Sequence, residues 1–409
     1  MNNAWILAGQ RTPIGRFLGD FAALNAPFLA GACFRASLDA SHLPTEELGE
    51  LIVGNVLSAG VGQAPGRQVV QAAGLPESLS AASVNKVCGS GLYAVMLAAR
   101  GIQAGAYQAA LAGGMECMSQ APHLLRQSRQ GWKFGSQPLL DSIECDGLLC
   151  AQGQTLMGNY AEKVAEQFSI SRADQDQWAL ESHSRAIAAQ NSGAMTAEIV
   201  PIHLPNGTII ARDASPRSDS TLEKLSRLKP AFGQHDASVN NTRSNYHGSN
   251  NHGTVTAGNA SALSDGAASV LVASDKMIGQ LQPKQAFRIV ATSVVSLEPS
   301  QLFIAPVFAT QKVLAAANCK LHEVDLFEIN EAFASQTLAC IRQLGVDPQQ
   351  VNVNGGAIAL GHPIGCSGAR ILVTLMHALL NRRLRRGVAT ICIGGGEAIA
   401  LLIENANCS

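Results

Sequence analysis

The segment VNKVCGSG at residues 84–91 ends a predicted strand and opens an apolar helix, and part of it recurs near the other end of the chain. There the segment GCSG at residues 365–368 opens a second apolar helix. Gly113-Gly114 follows 23 residues after the serine of the first segment, and Gly394-Gly395-Gly396 follows 27 residues after the serine of the second. The two glycine-rich turns therefore stand in equivalent positions of two similar stretches.

The residues around the two turns match as well. Apolar residues recur at helical spacing after each turn, and a short apolar run precedes each glycine cluster. The helical positions are Leu92, Val95, Met96, Ala99 and Ile102 in the first stretch, and Ile371, Leu372, Leu375, Leu379 and Leu380 in the second. The apolar runs are 110–112 and 389–393. We interpret this pattern as a duplicated strand–turn–helix–strand unit.

The composition indicates a large hydrophobic core and a weak overall electrostatic field. The 409 residues are 47% hydrophobic and only 14% charged, and this length suits two or three domains or one interlocked pair. A formal net charge of −1 gives no general attraction to nucleic acid or anionic membranes. The longest apolar run, 92–99, is far shorter than the ~18 residues of a membrane span. Residues 5–8 already resemble a strand rather than a signal peptide, so we expect a cytoplasmic protein.

Neither a disulfide framework nor a metal site is expected. The ten cysteines are scattered over the chain and form no Cys-x-x-Cys pair. The polar segment 233–252 carries three histidines, His235, His247 and His252, but its composition favours a solvated loop over a metal site. Between the two halves, residues 171–190 are predicted to form a helix capped by Ser171.

Cys88 has the surroundings of a nucleophile. It follows a predicted strand at 82–87 and stands at the first turn of the next helix, where unpaired backbone N–H groups favour a thiolate and lower the pKa of the thiol. Gly89 and Gly91 leave room for a substrate to approach the sulfur. A buried apolar cysteine gives the same local pattern, so this position by itself leaves both interpretations open.

A base and a second thiol lie in the carboxyl-terminal stretch. His362 is flanked by Gly361 and Pro363, so it cannot lie inside a regular helix and its imidazole is presented outward. It also belongs to the unit that mirrors the unit of Cys88, and a nucleophilic thiol needs a base. Cys392 ends a predicted strand and runs into three glycines, whose N–H groups suit a developing oxyanion. Together these residues predict an acyl-transfer site.

Four motifs resemble the thiolases in order and spacing. They are VNKVCGSG at 84–91, NEAF at 330–333, GHPIG at 361–365 and CIGGG at 392–396. The resemblance extends through RTP at 11–13, GGME at 113–116 and GTVTAGNASALSDG at 253–266, and it covers the chain except for 233–252.

The resemblance implies an α/β fold with two similar five-layered α-β-α-β-α halves and a loop domain inserted in the first. The amino-terminal half would comprise 1–120 and a return strand at about 260–283, the loop domain 121–259, and the carboxyl-terminal half 284–409. The family dimerises through its core, and 120–146 resembles loops that form tetramers, so a homodimer or homotetramer is expected.

The resemblance also implies a thiolase of fatty acid metabolism that transfers an acyl group between CoA and acetyl-CoA. Cys88 would hold the acyl group as a thioester, and His362 would activate Cys88. His362 and a water on Asn330 would stabilise the enolate oxygen of the second thioester. Cys392 would exchange the α-proton of acetyl-CoA, and the N–H groups of Cys88 and Gly394 would form a second oxyanion hole.

Acyl-CoA and acetyl-CoA are the implied partners, with CoA as substrate and product rather than as a resident cofactor. Ser261 matches the serine that contacts the pantetheine arm, Arg217 matches a basic residue beside the adenine, and Lys224 is a candidate for phosphate contact. Four further residues are expected to line the substrate pocket: Leu148, Leu156, Met157 and Phe333.

This chain departs from the family at several positions. Leu156 replaces a histidine of acetoacetyl-CoA-specific members, which predicts tolerance of longer 3-oxoacyl chains. Phe303 and Ala305 replace two glycines and are expected to add bulk beside the acyl-pantetheine path. Glu397 and Ala398 stand where a neutral residue and a glycine are usual, and Glu397 is expected to raise the pKa of Cys392 by like-charge repulsion.

Two alternatives remain at this stage. A ketoacyl-synthase-like condensing enzyme would need a histidine or asparagine in place of Cys392, which argues against it. A thiolase-fold protein that binds CoA or lipid without turnover is favoured by Phe303 and Ala398 but opposed by the complete set of reactive residues.

Overall fold

The computed structural model describes residues 2–232 and 253–408. The predicted polar loop at 233–252, with its three histidines, lies outside these residues.

The described residues alternate between strands and helices along most of their length. The strands are β1 (Ala4–Arg11), β2 (Gly15–Arg16), β3 (Leu48–Gly54), β4 (Ser80–Val84), β5 (Ala109–Cys117), β6 (His123–Leu124), β7 (Leu140–Asp141), β8 (Leu149–Cys150), β9 (Thr155–Leu156), β10 (Ile202–His203), β11 (Ile209–Ile210), β12 (Ser264–Ser274), β13 (Phe287–Ser296), β14 (Leu326–Ile329), β15 (Arg386–Ile393) and β16 (Glu397–Asn405). The α-helices are α1 (Ala26–Ser41), α2 (Pro65–Ala72), α3 (Ser90–Gln103), α4 (Met157–Gln167), α5 (Arg172–Ser192), α6 (Leu222–Ser226), α7 (Asp275–Leu281), α8 (Ala305–Ala316), α9 (Ala334–Leu344), α10 (Ala357–Leu360) and α11 (Ile364–Arg382).

The long strands form one sheet in the order β14-β15-β16-β13-β1-β12-β5-β3-β4. The two ends of this sheet repeat one pattern. In the first half β3 and β5 are parallel, and β5, β12 and β1 follow as antiparallel neighbours. In the second half β14 and β15 are parallel, and β15, β16 and β13 follow as antiparallel neighbours. The duplication predicted from the two glycine-rich turns is confirmed, and β1 joins the halves by pairing with β13.

Helices cover the strands on both outer faces and fill the space between the halves. On the outer faces α1 packs on β12 and β5, and α8 packs on β16 and β13. Between the halves α3 contacts β5 and β3, α11 contacts β5, β12 and β15, and the two helices contact each other. The predicted α/β fold class is therefore confirmed.

Helix α11 has the length and composition of a membrane span. However, 83% of its apolar window is buried inside the protein, because the helix lies between the two halves of the sheet. Its apolar side chains belong to the central core cluster together with Leu92, Val95 and Ile391. The core accounts for its hydrophobicity.

The two central helices touch through glycine. A Cβ added at Gly91 in α3 would lie 2.8 Å from the backbone nitrogen of Ala369, and one added at Gly368 in α11 would lie 2.6 Å from the backbone nitrogen of Leu92. Real Cβ atoms essentially never approach other atoms so closely. The glycines of the two echoed segments therefore allow the helix starts of the two halves to meet backbone to backbone.

The inserted segment is attached to the first half by buried charges. Arg11 is fully buried and forms ion pairs of 2.7 Å with both Glu198 and Asp213. The helix predicted at 171–190 is α5, and its predicted cap is confirmed, since the Ser171 hydroxyl accepts from the N–H of Asp174 at 3.1 Å.

Alanine at Gly368 is expected to lower the melting temperature. Alanine favours an exposed helix by up to about 1 kcal/mol over glycine, but the added methyl group would overpack the α3–α11 contact at a cost of about 1–3 kcal/mol. Gly279 in α7 is a matched control, because a Cβ there meets no atom within 4 Å. Thermal unfolding should show Gly279→Ala at or above the parent and Gly368→Ala below it. Equal melting temperatures would contradict the packing argument.

Candidate active site

A pocket of about 270 Å³ opens between the two halves and the inserted segment. Cys88 from the first half and His362, Cys392 and Gly394 from the second half line this pocket together. Five residues predicted to contact substrate line it as well: Leu148, Leu156, Met157, Ser261 and Phe333. Residues far apart in the sequence thus share one cavity whose remaining wall is largely apolar.

Cys88 lies in a tight turn between β4 and α3. The strand ends at Val84, three residues earlier than predicted, and the helix begins at Ser90, so Cys88 precedes the helix rather than lying in its first turn. Val87 has a left-handed φ of 46°, an uncommon conformation for a branched residue. The Ser90 hydroxyl stabilises this turn, since it donates to the Val87 carbonyl at 2.6 Å and accepts from the Lys86 N–H at 2.8 Å.

The predicted low pKa of Cys88 is wrong for this structure. Burial raises the pKa of the thiol to about 12, because the charged thiolate loses solvation. The backbone N–H of Gly394 acts in the opposite direction, and the buried carboxylate of Glu116 adds a smaller increase. The resting thiol is therefore protonated and needs a base.

His362 has one ring nitrogen available as that base. Its Nδ1 lies 2.5 Å from the Ser367 hydroxyl, which itself donates to the Pro363 carbonyl at 2.9 Å. Because the single hydroxyl proton is used there, Ser367 accepts from Nδ1–H, and this assigns the lone pair of the ring to Nε2. The Nε2 atom lies 3.5 Å from Nδ2 of the buried Asn330.

The imidazole is neutral in the resting site. Burial and, to a smaller extent, the nearby guanidinium of Arg370 together lower the pKa of His362 to about 3. Arg370 is itself buried and lies 3.5 Å from both a Glu328 carboxylate oxygen and Oδ1 of Asn330. Arg370 therefore lies behind His362, which lines the pocket, and beside Asn330, which is buried outside the pocket lining.

Cys392 stands at the end of a β-hairpin. Strands β15 and β16 pair Ile393 with Glu397, so Gly394, Gly395 and Gly396 form the three-residue turn. Cys392 pairs with the small Ala398, which leaves space on the face where the thiol lies. Burial raises the pKa of Cys392 well above its usual value, with smaller increases from Cys88 and Cys340.

The predicted effect of Glu397 on Cys392 is wrong. The Glu397 carboxylate forms an ion pair of 2.5 Å with Lys86, and its second oxygen accepts from the Ser296 hydroxyl at 3.0 Å. Cys392 pairs with Ala398 across the hairpin, so the two side chains share one face of the sheet. Glu397 is the neighbour of Ala398 in β16, so its side chain extends from the other face.

The predicted CoA contacts are divided between the pocket and the surface. Ser261 lines the pocket, and its N–H donates to the Ala332 carbonyl at 3.1 Å. Arg217 and Lys224 are exposed and lie outside the pocket lining. The N–H of Arg217 donates to His183 Nδ1, and Lys224 pairs with Asp219 at 2.8 Å. Their predicted contact with the nucleotide stays a prediction.

Phe303 forms part of the pocket wall beside Cys392. Its ring is buried and packs edge-on against Phe333 with the centroids 5.4 Å apart. Phe333 makes a second edge contact with Phe232 at 6.4 Å. The bulk predicted at Phe303 is thus present, yet the cavity persists beside it.

The structure adds three residues whose roles were not predicted: Ser367, Arg370 and Glu116. The buried Glu116 carboxylate accepts from the Gly365 N–H at 3.0 Å and from the Leu57 N–H at 3.2 Å, which ties the first half to the start of α11. Ser367 and Glu116 lie inside motifs quoted above, and Arg370 lies two residues after one of them. These positions were the signal in the sequence that could have identified the three residues. No group of three potential metal ligands occurs within 2–232 and 253–408.

Comparison with known proteins identifies related chains. A family model described as "Thiolase, N-terminal domain" matches residues 4–276, and a second model described as "Thiolase, C-terminal domain" matches residues 283–405. An acetyl-CoA acetyltransferase of Escherichia coli (strain K12) is 44% identical over 411 residues, covering 100% of both chains. A protein of Staphylococcus aureus (strain COL) named "Probable acetyl-CoA acyltransferase" is 43% identical over 99% of both. The crystal structure of the Bacillus anthracis acetyl-CoA acetyltransferase superposes with a TM-score of 0.93 at 37% identity, covering 99% of each chain.

Alanine at Ser367 is expected to lower kcat by about tenfold to hundredfold, because His362 loses the acceptor that fixes its tautomer. KM should change by less than about twofold, since Ser367 does not line the pocket. Ser293→Ala is the control, because the buried Ser293 hydroxyl donates at 2.7 Å to the Ala309 carbonyl outside the pocket. Steady-state acyl-transfer kinetics of both variants provide the measurement. An unchanged kcat in Ser367→Ala would contradict the assigned tautomer.

Proposed function

This chain belongs to the thiolase family, and we propose that it transfers acyl groups between CoA and acetyl-CoA through a thioester on Cys88. As a thiolase it is an acyltransferase: it cleaves 3-oxoacyl-CoA with CoA, or condenses two acyl-CoA molecules in reverse. The convergence of Cys88, His362, Cys392 and Gly394 on one pocket is the observation that carries the mechanism.

In the cleavage direction, the Cys88 sulfur attacks the 3-oxo carbon while its proton passes to His362 Nε2. The Gly394 N–H already lowers the pKa of Cys88 and faces the position where the oxyanion develops. The bond between C2 and C3 then breaks, and its electron pair forms the enolate of acetyl-CoA. Cys392 protonates C2 and releases acetyl-CoA, which leaves Cys392 as a thiolate. The thiol of CoA then gives its proton to Cys392 and attacks the thioester on Cys88, and the departing Cys88 sulfur regains its proton from His362.

The resting charges fit this sequence of steps. The pKa of Cys88 is raised to about 12 and that of His362 is lowered to about 3, so both side chains are neutral before substrate binds. Proton transfer must therefore accompany attack on the carbonyl, when the new C–S bond and the oxyanion hole offset its cost. The enolate oxygen would face His362 and a water held by Asn330, with the cation of Arg370 behind both side chains.

The apolar wall of the pocket supports 3-oxoacyl substrates longer than four carbons. Leu156, Met157, Phe303 and Phe333 offer no charged group to a substrate. An acyl chain that leaves water for such a wall gains about 0.8 kcal/mol for each buried CH₂ group. A role in fatty acid metabolism follows from this proposal.

Self-association and a reducing compartment are also proposed. Strand β4 is an end strand of the sheet, so within the described residues one of its edges has no neighbouring strand and could pair with a second copy, which supports a homodimer or homotetramer. The ten cysteines all lie in the part of the chain that the structure describes and are free there, which supports a cytoplasmic location.

Substitution of the two cysteines should separate the two chemical steps. Cys88→Ala is expected to abolish thiolysis of acetoacetyl-CoA and the gain of one acetyl group from acetyl-CoA, measured by mass spectrometry of the intact protein. Cys392→Ala should still acquire the acetyl group but exchange the α-protons of acetyl-CoA with D₂O about 10²–10⁴-fold more slowly.

Buried Cys33 provides a matched control, because it lies outside the pocket lining and its thiol donates to the Ala30 carbonyl at 3.3 Å. Cys33→Ala should retain turnover. Acetylation of Cys88 in the parent protein without turnover would contradict the proposal and indicate a protein that binds CoA.

Turnover should persist as the 3-oxoacyl chain grows. We expect kcat/KM to fall by less than about tenfold from C4 to C6 and C8 substrates, because the added CH₂ groups meet the apolar wall at Leu156. Leu156→His, which restores the imidazole of acetoacetyl-CoA-specific relatives, should favour the C4 substrate over C8. A fall of tenfold or more in the parent protein would contradict this proposal.

A further inference from the structure

An ion pair connects the turn that carries Cys88 to the turn that carries Gly394. Lys86 precedes Cys88 by two residues, and Glu397 follows Gly394 by three. Lys86 Nζ and Glu397 Oε2 are 2.5 Å apart, although the residues belong to different halves and are 311 positions apart. The catalytic roles proposed above use neither side chain.

The Leu297 N–H donates to the Gly396 carbonyl at 2.7 Å and holds the carboxyl-terminal end of the glycine turn, whereas Gly394 and Gly395 have few neighbours. A Cβ added at Gly395 would meet no atom within 4 Å, and one added at Gly394 would meet only Val87 Cγ1 at 3.4 Å. Gly395 and Gly396 also have left-handed φ values of 94° and 96°. Three successive glycines lose more conformational entropy on ordering than other residues do, so the position of the Gly394 N–H depends on the anchors at the ends of the turn.

Both members of the pair are held from a second side. Lys86 Nζ also lies 5.4 Å from the centroid of the Tyr93 ring in α3. Glu397 Oε1 accepts from the Ser296 hydroxyl at 3.0 Å on β13. These contacts restrict the two long side chains, so the ion pair couples the position of the turn that carries Cys88 to that of the turn that carries Gly394.

We propose that Lys86 and Glu397 are positioning residues that set the separation between the backbone N–H groups of Cys88 and Gly394. The inference rests on the proposed thioester at Cys88, whose oxyanion those two N–H groups would bind. The side chains are 20% and 29% exposed, so solvent still reaches the pair and limits its contribution to global stability. A displacement of about 1 Å at an oxyanion hole, by contrast, costs as much as about a hundredfold in rate. The pair should therefore affect kcat far more than stability.

Neutralising either charge tests this proposal. Glu397→Gln and Lys86→Met are each expected to lower kcat for acetoacetyl-CoA thiolysis by about tenfold to hundredfold, with KM changed by less than about twofold. The double variant should be no slower than the slower single variant, because both remove the same contact. Lys86→Arg keeps the charge and should recover most of the rate.

The matched control is Glu404→Gln, at the other end of the same strand. Glu404 forms ion pairs with Arg288, Arg385 and Arg386 and lies seven residues, or roughly 23 Å, from Glu397 along β16. Its substitution should reduce the melting temperature at least as much as Glu397→Gln does, while kcat stays near that of the parent.

The outcomes separate this proposal from the one on which it depends. Absence of thiolysis in the parent protein would overturn the proposed function. Parental turnover with an unchanged kcat in Glu397→Gln and Lys86→Met would overturn only the positioning role. Equal losses of kcat in Glu397→Gln and Glu404→Gln, each matched by a lower melting temperature, would also overturn it, because general destabilisation would then explain the effect.

Discussion

The close contact between α3 and α11 is the constraint on which the rest of the molecule depends. Gly91 and Gly368 leave no room for a Cβ, so the two helices meet at backbone distance between the two halves of the sheet. Each helix follows a turn that carries a candidate catalytic residue, Cys88 before α3 and His362 before α11. The same contact that closes the core therefore brings the proposed nucleophile and its proposed base to one pocket.

The pocket combines strong desolvation with few charges. Burial raises the pKa values of Cys88 and Cys392 and lowers that of His362, so the side chains proposed to carry the chemistry are neutral at rest. The proposed donors to a developing negative charge include the backbone N–H groups of Cys88 and Gly394, which need no titration. Preorganised dipoles in a water-poor site stabilise a developing oxyanion more than they would in water, so this arrangement favours the transition state over the resting state.

The fold class was predictable and the candidate reactive residues could be proposed, because each depends on local chemistry or on repetition. An echoed glycine turn, an apolar helix and a strand that runs into three glycines can be recognised along the chain, and they led to Cys88, His362 and Cys392. The cap at Ser171 was predictable for the same reason, since its partner Asp174 is three residues away. Interactions that span a few residues leave a periodic or positional signature in the sequence.

Interactions between distant segments left no such signature. The pKa of Cys88 was predicted in the wrong direction, because it depends on how many atoms of both halves surround the sulfur. Glu397 was expected to raise the pKa of Cys392, which is close to it in sequence, whereas the fold places Glu397 in an ion pair with Lys86. By itself, the sequence determined the duplicated halves, the candidate nucleophile and its candidate partners, since these follow from residue type and spacing. The tertiary structure alone decided their burial, the assigned tautomer of His362 and the ion pair between the two turns, since each arises where chains distant in sequence pack together.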